Sequence, residues 1–171
     1  MLNRILLLLI LALPFTASAQ IILIVGDSLS SAYGIPVDQG WVSLLQQRLS
    51  TKNHPYRIVN ASISGDTTAN ALARLPQALN DHKPAIVVIE LGGNDGLRGL
   101  SLKAMKNNLS SMIIKAKDSG AKVMLIGVQL PPNYGPKFTD KFQAIFHELA
   151  RRYKIVLQPS LVEGIGTDRN M

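Results

Sequence analysis

The chain has 171 residues, a formal net charge of +7 and no cysteine. That length suits one domain rather than two, and without thiols the chain can form neither a disulfide scaffold nor a cysteine nucleophile. The basic residues are scattered apart from Arg151-Arg152 with Lys154, and the aromatic residues are not interleaved with them, which argues against a nucleic-acid surface and leaves the charge to solubility and attraction to anionic lipid or acyl substrates.

In chain order, residues 1–19 read as a secretory signal peptide, with Arg4 as the basic start, an unbroken apolar run over 5–13 and the small-residue end Ala17-Ser18-Ala19 before Gln20. The run is well short of the ~20 apolar residues of a spanning helix. The expectation is a monomeric domain over 20–171, exported to a periplasm or the medium, with no membrane segment after cleavage. Residues 21–25, Ile-Ile-Leu-Ile-Val, form a continuous apolar run of the kind found in a strand buried on both faces of a parallel sheet. A loop with Gly34 and Pro36 follows, then a helix over 41–49, a strand over 56–60, and a helix over 69–79 in which Pro76 predicts a kink or an early end. Residues 85–91 are a third strand. Ser101 caps a helix running to about Ser119 and closed by Gly120. The pattern continues with a strand over 122–127, a loop over 130–136, an amphipathic helix over 140–153, and the start of a fifth strand at 155–157. Strands alternating with helices of this length indicate βαβ units, a parallel sheet and helices on both faces.

Three strand ends carry the candidate chemistry. Ser28, in Gly26-Asp27-Ser28-Leu29-Ser30, stands where the first strand becomes a loop, and ligands of open α/β sheets gather at the carboxyl ends of strands. The same five residues are also ordinary turn chemistry. Gly65, after the second strand, lacks a Cβ and lets a backbone N–H approach a ligand. Asn94, in Gly92-Gly93-Asn94-Asp95-Gly96 after the third strand, offers an amide donor on a loop that its glycines leave free. A serine hydrolase needs a nucleophile, a base, a group to orient the base, and donors for the oxyanion. These loops supply the first and the last.

The stretches G-D-S-L-S, N-A-S-I-S-G-D-T, A-R-L-P, E-L-G-G-N-D-G-L-R-G and L-P-P-N-Y-G are ordered along residues 21–135, and with them the chain resembles the SGNH, or GDSL, hydrolases, in particular the exported arylesterase, lysophospholipase and thioesterase group. The resemblance implies a three-layer α/β/α flavodoxin-like fold, Ser28 as nucleophile, and an oxyanion hole of the Ser28 N–H, the Gly65 N–H and the Asn94 side chain. It implies acyl or aryl ester and thioester substrates with no metal or organic cofactor, and it raises Leu97, Leu130, Pro131 and Tyr134 as the lining of an acyl groove. The family's base and orienter come from an Asp-x-x-His motif after the fifth strand. Here Asp168 is followed three residues on by Met171, so the base is expected beyond residue 171 and the helix that should close the fold is expected to be missing.

The histidines do not replace that motif: His54 precedes Pro55 in a polar loop, His82 sits in a turn, and His147 lies inside the last helix. Asp27, Asp66 and Asp95 read as turn caps rather than a metal cluster. Glu90 reads as a paired or rim carboxylate, and Trp41, Phe142 and Phe146 as core. The expected function is a secreted serine esterase or thioesterase. The alternatives are a carbohydrate O-acetylesterase of the same fold, against which the L-P-P-N-Y-G and G-G-N-D-G-L-R-G segments argue, and an inactive or acyl-binding remnant, for which the absent Asp-x-x-His argues.

Overall fold

The structure, a computed structural model, describes residues 20–161. The expected signal peptide and the stretch holding Gly164, Gly166 and Asp168 lie outside these residues. Five parallel strands, β1 (Gln20–Gly26), β2 (Tyr56–Asn60), β3 (Ile86–Glu90), β4 (Lys122–Ile126) and β5 (Val156–Gln158), form one sheet in the order β2-β1-β3-β4-β5. This is the flavodoxin-like doubly wound order, in which the chain reverses direction of winding between β1 and β3 and leaves a crevice at their carboxyl ends. The three-layer α/β/α fold implied by the sequence is the fold observed.

Alternate residues of each inner strand serve different layers, which explains why the strands are apolar without a break. Leu23, Val25, Val87, Ile89, Val123 and Leu125 face the larger cluster, built with α2 (Thr68–His82), α4 (Leu102–Asp118) and α5 (Pro136–Tyr153). Ile22, Ile24, Val88 and Ile126 face a smaller cluster under α1 (Trp41–Thr51), with Trp41, Leu49 and Leu161 packed against it. Phe142 and Phe146 are buried, edge to face at 5.3 Å. Trp41 is only half-buried, and its indole Nε1 has no hydrogen-bond partner among the described residues, so it is a flank of the smaller cluster rather than core.

Three local expectations are corrected. Helix α2 does not end at Pro76 but continues to His82. Ala71, Leu75 and Leu79 on its inner face are buried, and that packing outweighs the one backbone hydrogen bond a proline removes. Helix α5 starts at Pro136, four residues early, because a proline in the first turn lacks only an N–H that would be unpaired there anyway. Gly93–Leu97 forms a short helix, α3, where a free loop was expected. Its glycines serve close packing: a Cβ on Gly96 would stand 2.7 Å from Leu130 Cδ1 and 3.0 Å from Phe142 Cε2. The Ser101 cap and the Gly120 terminus are as expected, with Ser101 Oγ accepting the Ala104 N–H and Gly120 at φ +88°.

Candidate active site

β1 and β3 end side by side, with Gly26 in register opposite Glu90. Gly26 has no room for a side chain, since a Cβ would lie 2.6 Å from Ser30 Oγ and 3.0 Å from Glu90 Oε2. The chain then turns at once. Asp27 Oδ1 accepts the Leu29 N–H at 3.2 Å and the Asp27 carbonyl accepts the Ser31 N–H at 2.9 Å, an Asx-type turn that carries Ser28 at its apex. Ser28 is half-buried and lines a cavity of about 260 Å³ together with Asn94, Leu97, Val128, Leu130 and Pro131.

Two further loops approach the turn that carries Ser28. Gly65 sits at φ +81°, which a side chain would strain, and its carbonyl accepts from Arg98 Nη2 at 3.1 Å. Asn94 is the second residue of α3, and Nδ2 donates to the Asp66 carbonyl at 3.0 Å and to Asp27 Oδ2 at 3.2 Å. Its amide therefore bridges the turn after β1 and the turn after β2. Neither the Ser28 N–H nor the Gly65 N–H donates a hydrogen bond among the described residues. Three donors thus lie on loops that converge on one crevice, two of them unspent.

The acids that read as turn caps have separate roles. Asp27 does cap its own turn. Asp66 pairs with Arg74, at 2.7 Å to Nη2 and 2.9 Å to Nε. Asp95 reaches out of α3 to the start of α2, accepting the Thr68 N–H at 2.8 Å and the Thr68 Oγ1 hydroxyl at 2.6 Å, and Asn108 donates to the same hydroxyl oxygen. These links brace the loops after β2 and β3 against each other.

Glu90 is fully buried rather than at the rim, and it is paired: its Oε2 accepts the Ser30 hydroxyl at 2.7 Å, while Oε1 has no partner among the described residues. Burial, reinforced by the nearby Asp27 charge, pushes its carboxyl up to about 8. Burial likewise raises Asp27, against the opposing hydrogen bonds from Leu29, Asn94 and Ser28. Sequence reasoning missed this pair because nothing local to Glu90 signals Ser30; only the register of β1 on β3 joins them.

Of the expected groove residues, Leu97, Leu130 and Pro131 line the Ser28 cavity. Tyr134 lines a neighbouring apolar hollow of about 350 Å³ with Pro136 and Phe138, and its hydroxyl donates to the Leu97 carbonyl at 3.1 Å, tying the two hollows together. Val128, Gln129 and Leu29 also line the Ser28 cavity and were not anticipated, although their places just after β4 and Ser28 were a usable signal. The histidines stay away. His54 precedes β2 and His82 closes α2, both at the opposite edge of the sheet, and His147 is exposed midway along α5.

Residues 24–168 match the GDSL-like lipase/acylhydrolase family. The chain is 54% identical over 155 residues to esterase TesA of Pseudomonas aeruginosa, covering 91% of this chain and 77% of that protein. It is 40% identical over 149 residues to thioesterase 1/protease 1/lysophospholipase L1 of Escherichia coli K12, covering 87% and 70%. A crystal structure of TesA superposes with a TM-score of 0.86 at 53% identity, covering 89% of this chain and 84% of that one.

Proposed function

The chain belongs to the GDSL-like lipase/acylhydrolase family and is a serine hydrolase of ester or thioester bonds, and we propose that Ser28 is its nucleophile, with the Ser28 N–H, the Gly65 N–H and Asn94 Nδ2 as oxyanion donors. The observation that carries this assignment is that Ser28 and Asn94 line one cavity while the Asn94 amide ties the turn holding Ser28 to the turn beside Gly65, and that the Ser28 and Gly65 N–H groups are unspent. Ser28 Oγ attacks the acyl carbonyl and the developing negative charge falls to donors that are already in place, so little reorganisation is needed in the transition state. The Asp66 carbonyl holds the Asn94 amide by one N–H. The other, 3.2 Å from Asp27 Oδ2, is the longer contact, and it is the one an oxyanion takes over. The leaving alcohol or thiol departs, and water hydrolyses the acyl-enzyme.

The proposed base comes from outside residues 20–161, as none of His54, His82 and His147 reaches the crevice. Support for its route is the course of the chain after β5: Gly127 N–H donates to the Gln158 carbonyl at 2.8 Å and Ser160 is buried, so the backbone leaves the sheet at the same edge as Ser28. Acyl and aryl esters or thioesters are the proposed substrates, their apolar part lying along Leu97, Leu130 and Pro131. No helix among the described residues is long and apolar enough to cross a membrane, and export is proposed on the pattern of residues 1–19.

In the active enzyme, Ser28→Ala should lower turnover of p-nitrophenyl esters and acyl-CoA thioesters by on the order of 10⁶ with an unchanged melting curve. A Ser28→Ala enzyme that keeps its turnover overturns the assignment.

A further inference from the structure

The exposed apolar side chains are distributed unevenly. Eleven large ones are exposed among the described residues, and all but Leu44, Ile114 and Val156 stand on the segments that connect the carboxyl ends of β1 to β4 to the next long helix. Tyr33, Ile35 and Val37 follow β1, at 76, 51 and 70% exposed, and Ile63 follows β2. None of these four lines the Ser28 cavity, but two other exposed apolar residues on the same edge, Leu29 and Leu97, do. Apolar groups gathered on one face of an otherwise ordinary surface mark an interaction site.

The loop that carries three of them is built rather than slack. Ala32 is held at φ +60° and Gly34 at φ +82°, and the backbone is tied by Tyr33 N–H to the Ser28 carbonyl at 3.2 Å and Gly40 N–H to the Val37 carbonyl at 3.2 Å, with Ser43 Oγ donating to Val37 O at 2.7 Å. The backbone is fixed while the side chains project. Exposed charges on the same edge favour cations: Arg98, Lys103, Lys137 and Lys141 against Asp38 and Asp140.

We propose that this edge is a docking face for an anionic lipid surface, which seats the mouth of the Ser28 cavity against aggregated acyl lipid. The inference rests on the reading of that cavity as the acyl site. The geometry favours lipid over a protein partner, because the apolar groups stand on separate segments of the edge that holds the opening, which a protein would plug and a lipid layer would feed. Cations on the same edge add attraction to anionic head groups, and the apolar side chains enter the acyl boundary.

The test is flotation of the full chain carrying Ser28→Ala, so that nothing is hydrolysed, with vesicles of phosphatidylglycerol and with vesicles of phosphatidylcholine. Partition onto phosphatidylglycerol should be at least about tenfold stronger and should weaken with salt. Adding Tyr33→Ser and Val37→Ser should cut that partition at least about tenfold, while the same pair in the Ser28 enzyme leaves turnover of a water-soluble short ester unchanged. If that pair lowers the melting temperature, Ile35→Ser with Ile63→Ser takes its place. Absence of partition, or partition that neither pair weakens, overturns the proposal. Because binding is read without catalysis, a wrong nucleophile would show only as turnover surviving in Ser28→Ala.

Discussion

The two edges of the sheet handle their polar groups in opposite ways. At the amino-terminal edge the helix-to-strand turns are solvated, and each of α1, α2, α4 and α5 hands over through a residue in the left-handed region: Asn53 at φ 54°, Lys83 at 43°, Gly120 at 88° and Lys154 at 51°. This is ordinary helix termination. At the carboxyl-terminal edge the chain buries polarity instead. Asp27, Ser30, Asp66, Thr67, Thr68, Glu90, Asp95 and Ser160, the buried polar residues among those described, all lie there. Burying such groups is costly unless each finds a partner. The contrast shows where this fold holds donors and carboxylates in fixed places at some expense in stability, and it is the edge that holds Ser28.

Four substitutions probe that contrast. Asn94→Ala, at the polar edge, should lower kcat by roughly 10² to 10³, as one oxyanion donor is worth about 2.7–4 kcal/mol in the transition state. KM should change little, and steady-state kinetics on a saturating ester would expose an unchanged kcat. Asp95→Ala removes two buried hydrogen bonds to Thr68 and strands its hydroxyl and N–H. A loss of about 2–3 kcal/mol in urea unfolding is expected, since bonds to a charged acceptor are the stronger class and an orphaned buried donor adds its desolvation.

Glu90 gives the edge a pH signature. Its carboxyl has an ordinary value of 4.5 in the unfolded chain and is raised to about 8 in the folded one. Between these values the folded protein holds the extra proton, so stability is greatest below the lower value and falls as pH rises through the window to about 8. Asp27, also raised, acts with the same sign. Glu90→Gln keeps a neutral partner for Ser30 and should flatten the decline between about pH 5 and about pH 8.5, measured as urea midpoints; an equally steep decline in the variant would assign it elsewhere. The smallest effect belongs to the other edge. Lys83→Gly relieves a left-handed lysine and should raise stability by at most about 1 kcal/mol, the lower strain being partly offset by a freer unfolded chain. Turnover should not move.

The strands were legible because burial on both faces leaves a mark that needs no tertiary information: β2 runs over Tyr56–Asn60 as expected, and β1 and β3 differ from expectation by a residue at their ends. Ser28, Gly65 and Asn94 were legible as strand-end residues, and the motifs around them as a family resemblance. Helix α3 was not, because Gly-Asn-Asp-Gly carries turn propensity; its helical form depends on Leu130 and Phe142 closing on Gly96 from far along the chain. Tyr134 illustrates the same limit, as its loop position suggested the Ser28 cavity and its packing against Phe138 puts it in the neighbouring hollow.

By itself the sequence determined the alternation of strand and helix, the parallel sheet that this alternation requires, and the residue types offered at each strand end, since periodicity and turn chemistry are local properties. Tertiary structure alone decided which of those residues meet. Glu90 finds Ser30 because β3 pairs with β1 in one register, and Asn94 reaches the Asp66 carbonyl and Asp27 because the loops after three neighbouring strands close over one crevice. The side chains of a parallel strand repeat every two residues, so a register shifted by one residue would move Glu90 away from Ser30 and undo the contact.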